Sequence, residues 1–215
     1  NYFRNEQQLD IYQLSDLAYQ VERIDMKLEG GWQDQYATTF GGFSWIEFRK
    51  SEVVVSPLLL QRNTVLELEY NLMLFRLGGS RSSSKIQKSH IRDIDKNSVK
   101  QKSFKEMIQL AVEMKESLLK GNVKQFADLL HESWVLKKEM NNGITNELVE
   151  GCYNAARDLG ALGGKLLGAG ESGYLLIYAS PLYQKQIKGT LAKKGAIQEM
   201  FKFNQNGLEV WSTKR

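Results

Sequence analysis

The amino-acid sequence predicts an α+β fold in which helices pack on a small antiparallel sheet. Three helical patterns follow one another across residues 103–160. Apolar strand patterns lie before them at 71–77 and after them at 163–167 and 174–179. Helices that cover one face of such a sheet give an α+β arrangement.

The first part of the chain predicts a helix and a hairpin. Ser15 is a candidate N-cap for a helix over 15–28, in which apolar residues recur at helical spacing. Pairs of glycines near both ends of 29–42 interrupt the pattern. The segments 43–48 and 53–56 then predict the two strands of a β-hairpin.

A short helix is predicted over 61–70, before the buried strand at 71–77. The polar, serine-rich stretch 78–98 separates this strand from the helical layer. Glycine and asparagine residues end the three helices of that layer, which are predicted over 103–120, 123–140 and 145–160. The remaining predicted elements are a helix over 182–194 and two short strands over 197–204 and 208–211, joined by a turn at 205–207.

Length, composition and charge restrict the class of protein. The 215 residues, 42% of them hydrophobic, are enough for one large core or two small ones. A net charge of +4 is compatible with phosphorylated substrates and too weak for a nucleic-acid binder. No apolar run approaches the ~18 residues that span a bilayer, so we expect a cytoplasmic protein without a membrane partner. The single cysteine, Cys152, cannot form an internal disulfide and is expected to be a buried thiol.

Residues 160–173 contain six glycines in fourteen positions. Glycine adopts positive φ at little cost and allows backbone N–H groups to approach an anion, most often a phosphate. Glycines also serve tight turns and close packing. The run is therefore a candidate phosphate loop, with a structural role as the alternative.

This run, GALGGKLLGAGESGYLLIY, resembles the third conserved motif of the GHMP small-molecule kinases. The segments GGWQDQYATTFGGFSWIEF, MLFRLGGSRSSSKI and HESWVLKKEMNNGITNELVEGCYNAARDLG resemble, in order and spacing, the sugar-1-kinase branch of that family. The resemblance extends over residues 14–211. It implies a GHMP kinase-like fold with a ferredoxin-like C-terminal domain at 79–215, preceded at 1–78 by the remainder of the N-terminal kinase domain.

Two departures from the family pattern stand out. The family's first motif and its Pro-x-x-x-Gly-Leu-Gly-Ser-Ser-Ala phosphate loop do not occur in this sequence, which resembles the family's C-terminal two-thirds. We therefore expect roughly 100 or more upstream residues that hold most of the nucleotide site. The second departure is Glu171, which stands where many relatives have glycine. Its carboxylate is expected to point away from phosphate, because the two charges repel.

The resemblance implies an ATP- and Mg²⁺-dependent kinase that phosphorylates the anomeric hydroxyl of a sugar. D-glycero-D-manno-heptose 7-phosphate is the expected substrate. An L-fucokinase-like specificity is the enzymatic alternative, because GGWQDQY also resembles that branch. The other alternative is a non-catalytic module that binds a sugar phosphate. The chain alone is expected to be inactive and to associate with the upstream segment or with a second copy.

Asp34 and Glu22 are the candidate catalytic residues. Phosphoryl transfer to a sugar needs a metal near the phosphates and often a carboxylate near the attacking hydroxyl. Asp34 matches the position of the family's catalytic aspartate, with an N-cap for a helix over 35–40 as the alternative. Glu22 precedes it by twelve residues, the separation that the resemblance associates with a magnesium ligand. The alternative for Glu22 is an exposed helical residue paired with a charged neighbour.

The other candidates would bind the substrate or its phosphate: Trp32, Gln33, Arg81, Gly168, Ala169 and Gly170. Trp32 stacks on a sugar or fills the core, and Arg81 clamps a phosphate or caps a helix. Lys165, a weaker candidate, is expected to point outward from its strand. His131 lacks metal-ligand spacing to another ligand residue, so a packed or hydrogen-bonded histidine is expected there rather than zinc.

Overall fold

A computed structural model of the chain describes residues 9–28, 30–50, 52–78, 98–140, 143–168, 173–209 and 211, and only the backbone of 98–100. Four residues from the sequence analysis lie outside the described residues: Arg81, Ala169, Gly170 and Glu171. By compactness the chain divides into two units, one of Asn1–Leu59 with Phe203–Arg215 and one of Leu60–Lys202. The boundary expected between residues 78 and 79 concerns family domains and stays a prediction.

The first unit is built from helical segments and a hairpin. Its elements are helix α1 (Ile11–Tyr19), a π-helical segment (Gln20–Asp25), helix α2 (Gln33–Phe40) and strands β1 (Ser44–Phe48) and β2 (Val53–Pro57). The two strands pair antiparallel, with Trp45 opposite Ser56. This pairing confirms the predicted hairpin.

Helix α1 begins earlier than predicted. Asp10 is its N-cap, because the Asp10 carboxylate accepts a hydrogen bond from Gln13 N, while Asp10 N donates to Gln13 Oε1, both at 2.9 Å. The prediction of Ser15 as the N-cap is wrong. Its hydroxyl lies inside the helix and donates to the Ile11 carbonyl at 3.0 Å.

The end of the chain contributes backbone hydrogen bonds to the first unit. Leu208 N donates to the Thr39 carbonyl at 2.9 Å, and Gly42 N donates to the Asn204 carbonyl at 3.0 Å. Among the described residues of 208–211 there is no strand, so the predicted final hairpin is wrong. The N–H of Leu208 bonds to the end of helix α2 instead.

The second unit is an antiparallel sheet with helices. Its elements are α3 (Arg62–Asn71), β3 (Leu72–Leu77), α4 (Ser98–Leu119), α5 (Val123–Met140), α6 (Glu147–Asp158), β4 (Gly163–Leu166), β5 (Gly173–Tyr178), α7 (Pro181–Lys193) and β6 (Ile197–Glu199). The strand order β4-β5-β3-β6, antiparallel throughout, is that of a ferredoxin-like βαββαβ unit. It confirms the predicted fold class, although β6 is shorter than the predicted strand over 197–204. Within the described ranges no helix is both long and apolar enough to cross a membrane.

The core of the second unit includes residues of the sheet and of helices α6 and α7. Phe75 of β3 and the pair Leu175 and Ile177 of β5 are fully buried. Cys152 of α6 and Ile187 of α7 belong to the same cluster. Burying a large apolar side chain stabilises a fold by about 1.5–3 kcal/mol. The burial of Cys152 confirms the expected buried thiol.

Candidate active site

The first turn of helix α2 holds the predicted catalytic aspartate. The helix begins at Gln33, and its cap residue, Trp32, makes no side-chain capping hydrogen bond. Asp34 therefore lies inside the helix, and the alternative of Asp34 as an N-cap is wrong. Its side chain is exposed, and the positive end of the helix dipole stabilises a carboxylate in this turn. The turn fixes the backbone of Asp34 and leaves the carboxylate open to a ligand.

Gln35 connects this turn to Glu22. The side-chain Nε2 of Gln35 donates a hydrogen bond to Oε2 of Glu22 in the π-helical segment. Because Gln35 directly follows Asp34, this bond brings Glu22 to the turn that carries the aspartate. The sequence alone did not indicate Gln35 as a site residue. The feature that could have indicated Gln35 is its position on the same face of α2 as the buried residues Tyr36 and Thr39.

Arg23 is a second partner of Glu22. Its NH1 atom lies 3.4 Å from Glu22 Oε1, and the Arg23 side chain is only 10% exposed. The guanidinium packs on Gly30, where any Cβ would clash with it. A larger residue at this position would require the Arg23 side chain to move. The pair also matches the alternative expected for Glu22, a glutamate paired with a charged neighbour, and the magnesium role stays a prediction.

Glu22 nevertheless has the ligand chemistry of magnesium. Mg²⁺ binds one or two carboxylates and completes its shell with phosphate oxygens and water. The Glu22 side chain is 40% exposed, so a hydrated ion can reach it. Within the described ranges no cluster of three or more His, Cys, Asp or Glu residues could hold a metal. These residues fit a magnesium ion held largely by phosphate, and they do not form a protein cage for a metal.

A cavity of about 770 Å³ is present within the first unit. Trp32 and Gln33 line it, and the two predicted acidic residues do not. The Tyr19 ring lies 4.3 Å from the Trp32 ring between centroids, yet Trp32 remains 40% exposed. On another wall, the Tyr36 hydroxyl donates to Asp16 Oδ1 at 2.6 Å. Burial, and then this hydrogen bond, raise the pKa of Tyr36 well above its ordinary range.

Within the glycine-rich run, some glycines serve a turn or close packing, and one has free space at the position of a Cβ. Gly160 has φ +99°, a value that suits the turn after α6. A Cβ on Gly163 would clash with the Ala127 carbonyl of α5, and one on Gly164 would clash with the backbone of β5. For these three glycines the structural alternative is correct. Gly168, at φ +83°, has open space where a Cβ would be, and its phosphate-binding role stays a prediction.

Lys137 lies beside Gly168, and Lys165 lies close enough to Lys137 for their charges to repel. Lys165 of β4 is half-buried, so the prediction that it points outward is wrong, and burial lowers its pKa. Lys137 of α5 donates from Nζ to the Gly168 carbonyl at 3.2 Å. Burial, and then repulsion by Lys165, lower the pKa of Lys137 to about 8. The sequence alone did not indicate Lys137, because a basic residue in the last turn of a helix is common.

His131 is packed and hydrogen-bonded, as predicted. Its Nδ1 atom lies 2.7 Å from the hydroxyl of Tyr153 on α6. The pKa of His131 is lowered first by burial and then by the positive charges of Arg157 and Lys138. The ring contributes to the packing of α5 on α6.

Comparison with known sequences gives a family match within the second unit and two similar relatives. The family described as GHMP kinases C terminal matches residues 114–197. A D-glycero-alpha-D-manno-heptose 7-phosphate kinase of Campylobacter jejuni is 32% identical over 93% of this chain and 59% of its own length. A bifunctional fucokinase/GDP-fucose pyrophosphorylase of Arabidopsis thaliana is 30% identical over 77% of this chain and 16% of its own length.

Solved structures of kinases are similar to this chain in fold. A D-glycero-D-manno-heptose 1-phosphate kinase from Bacteroides thetaiotaomicron has a TM-score of 0.69 and 29% identity, covering 96% of this chain and 57% of its own. The mevalonate kinase of L. major, at 21% identity and a TM-score of 0.65, covers 86% of this chain and 55% of its own and supports the fold alone. The chain therefore spans less than two-thirds of the length of these relatives.

Proposed function

We propose that this chain is part of an ATP-dependent sugar kinase, because residues 114–197 match the family described as GHMP kinases C terminal and the chain resembles such kinases in fold. The reaction is phosphorylation of an anomeric hydroxyl. The observation that carries the proposal is the hydrogen bond from Gln35 to Glu22, which places a candidate metal ligand beside the turn of Asp34. Phosphoryl transfer uses a metal near the phosphates and often a carboxylate near the attacking hydroxyl, and we assign Glu22 and Asp34 to these two roles.

Asp34 orients the sugar hydroxyl and accepts its proton. Phosphoryl transfer depends mostly on positioning and on electrostatic stabilisation, so a carboxylate fixed by a helix suits this role. Asp34 meets that requirement because its backbone is helical and its side chain is exposed. When bound, ATP supplies the phosphoryl group and Mg²⁺ neutralises part of its charge.

Glu22 is the carboxylate that would hold Mg²⁺. Gln35 and Arg23 hold it from two sides, so that the side chain is oriented before any ligand arrives. The guanidinium of Arg23 also offsets the charge of Glu22 while the site is empty of metal. The exposed part of the carboxylate remains for the ion.

The substrate we propose is D-glycero-D-manno-heptose 7-phosphate. The Campylobacter jejuni relative named for this sugar aligns with 93% of the chain, against 77% for the Arabidopsis thaliana fucokinase. L-fucose is the second candidate, supported by the second relative. A cytoplasmic location suits substrates of both kinds.

A partner for the first unit is part of this proposal. Five apolar side chains of α1, the π-helical segment and the residues after it are exposed: Leu17, Val21, Ile24, Met26 and Leu28. An exposed apolar patch of this kind usually marks an interface. We propose that it packs against the part of a GHMP kinase that this chain does not span, with a second copy as the other candidate. If no such part exists, the chain acts as a sugar-phosphate-binding module.

The test is an assay of the gene product that contains this chain. It is incubated with ATP, Mg²⁺ and heptose 7-phosphate, the unphosphorylated heptose or L-fucose, and ³¹P NMR detects a new anomeric phosphate. We expect the anomeric phosphate with heptose 7-phosphate. A product only with L-fucose supports the second candidate, and ADP formation without any sugar phosphate contradicts a sugar kinase.

A further inference from the structure

Lys137 and Lys165 are two neighbouring cations of the second unit. Lys165 lies on the same face of β4 as Gly163, because side chains two residues apart in a strand point the same way. Gly163 packs against the backbone of α5 at Ala127. Lys165 therefore faces the helix that carries Lys137, and the two ammonium groups repel each other.

The pair has no acidic partner in the part of the chain that the structure describes. The hydrogen bond of Lys137 goes to a neutral group, the Gly168 carbonyl at 3.2 Å. The adjacent Lys138 differs, because it forms an ion pair with Glu150 at 2.9 Å. Two half-buried like charges without a counter-charge destabilise the folded state. A bound anion removes that penalty.

We propose that Lys137 and Lys165, with the open backbone at Gly168, bind the phosphomonoester that the sugar substrate already carries. This assignment rests on the proposed function and adds the residues that select a sugar phosphate over a free sugar. A phosphate dianion matches the charge of two ammonium groups, and lysine binds phosphate as a point charge. The φ of +83° and the empty space at Gly168 leave its backbone accessible. An unphosphorylated sugar offers no charge to this pair.

Binding to the gene product that contains this chain tests the assignment. Isothermal titration calorimetry with heptose 7-phosphate, heptose and ATP is applied to wild type, Lys137→Met and Lys165→Met. Lys124→Met is the matched control, because Lys124 is an exposed lysine of the same helix. We expect each of the two site variants to bind heptose 7-phosphate at least tenfold more weakly, with the control and the ATP affinity unchanged.

Phosphate of the nucleotide is the other source of the same chemistry. Equal weakening of ATP and heptose 7-phosphate binding would assign the lysines to the nucleotide and overturn the proposal. Unchanged heptose 7-phosphate binding in both variants would also overturn it. Lys165→Arg keeps the charge and is expected to recover most of the affinity.

Thermal unfolding without ligand separates binding from a structural role. Removing an uncompensated charge is expected to leave Tm unchanged or higher in Lys165→Met. A lower Tm in Lys165→Met, with no recovery of phosphate binding in Lys165→Arg, would make the lysine structural. Glu171→Gln is a second variant in this experiment, because Glu171 is the next acidic residue after Lys165 along the chain. A lower Tm in that variant, restored by inorganic phosphate, would assign the lysines to Glu171.

Kinetics of the active gene product separates this proposal from the proposed function. Absence of any sugar phosphorylation by the wild type contradicts the proposed function. In an active enzyme, Lys137→Met and Lys165→Met are expected to raise KM for heptose 7-phosphate at least tenfold, with kcat and the KM for ATP within a few-fold. An active enzyme whose two variants keep the wild-type KM contradicts only the lysine assignment.

Discussion

Gln35 Nε2 donates a hydrogen bond to Glu22 Oε2, and this contact joins the π-helical segment to the first turn of α2. Gln35 is 5% exposed, whereas Asp34, the residue before it, is exposed. The buried side chain of Gln35, which bonds to Glu22, therefore directly follows the exposed carboxylate of Asp34 on the same turn. The arrangement can orient Glu22 without covering Asp34.

Replacing Gln35 with leucine is expected to destabilise the first unit modestly. A hydrogen bond to a charged group contributes about 1.5–3 kcal/mol. The loss is reduced because Glu22 regains water and because Gln35 Oε1, which is buried without a hydrogen-bond partner among the described residues, is also removed. We expect a loss of about 1 kcal/mol in urea unfolding. Gln33→Leu, at an exposed neighbour, is expected to change stability by less than about 0.5 kcal/mol, and equal losses in both would contradict the anchor role.

Glu22→Gln tests the metal ligand in the intact enzyme. The amide keeps the shape of the side chain and removes its charge, so both turnover and the apparent affinity for Mg²⁺ are expected to fall. Excess Mg²⁺ should then recover part of the activity. Steady-state rates across a magnesium series give the answer, with Glu116→Gln as a surface control. A defect that magnesium does not relieve would leave Glu22 only as the structural partner of Arg23 and Gln35.

Gly163→Ala and Gly189→Ala are a matched pair in the second unit. A Cβ on Gly163 would clash with the Ala127 carbonyl, and overpacking of this kind costs about 1–3 kcal/mol. Gly189 lies in α7 with no atom near the position of its Cβ. Alanine there is expected to stabilise the helix by about 0.5–1 kcal/mol. Urea unfolding measures both, and a stable Gly163→Ala variant would show that β4 can move away from α5.

Local pattern predicted the helices and most strands of the fold. The helical spacing of the apolar residues in α5 and the continuous apolar run of β3 are the patterns that predicted these two elements. The start of α1 failed because Ser15 is a good N-cap residue by type, and the reciprocal bonds of Asp10 and Gln13 outweigh it. The strand at 208–211 failed because its pattern does not reveal that Leu208 bonds to Thr39.

The site was predictable where a motif fixes it and not where packing does. The family resemblance implied Asp34 and Glu22 as site residues, and the hydrogen bond of Gln35 joins their two segments in the structure. Gln35 and Lys137 were missed because their roles depend on contacts with residues distant in sequence. Gly163 carries the same sequence signal as a phosphate-loop glycine, yet it serves the approach of β4 to α5.

The exposed apolar side chains of the first unit are expected to cause self-association of the isolated chain. Val21→Lys and Ile24→Lys place charges in this patch, which includes exposed Leu17 and Met26. We expect less binding of an apolar dye and a smaller sedimentation coefficient in the double variant. Leu182→Lys, at an exposed residue of α7 in the second unit, serves as the control. A wild-type chain that is monomeric and binds no dye would contradict this expectation.

Stability should depend on pH through Lys137. Its pKa is about 8 in the folded protein and 10.5 in its ordinary state, so the unfolded chain binds the proton more tightly. The destabilisation caused by the charge of the half-buried Lys137 side chain is fully present below pH 8. The free energy of unfolding therefore rises as pH increases from 8 to 10.5. Lys137→Met lacks this contribution, so its Tm relative to wild type is expected to fall as pH rises from 7 to 10, a range that covers most of this titration. Thermal unfolding measures that difference, and a constant difference across the range would contradict the shifted pKa.

Asp34→Asn tests the proton acceptor. Asp34 is exposed and forms no side-chain hydrogen bond or ion pair with the residues that the structure describes, so the asparagine variant is expected to keep the fold. Loss of general-base catalysis lowers kcat by about 10²–10⁴-fold, while substrate affinity stays within a few-fold because the turn keeps its shape. Asp158→Asn, at the exposed end of α6, is the control and should have wild-type kcat. Steady-state kinetics of both variants decides the role: turnover of Asp34→Asn close to wild type removes the base assignment, and a rise in KM as large as the fall in kcat makes Asp34 a binding residue.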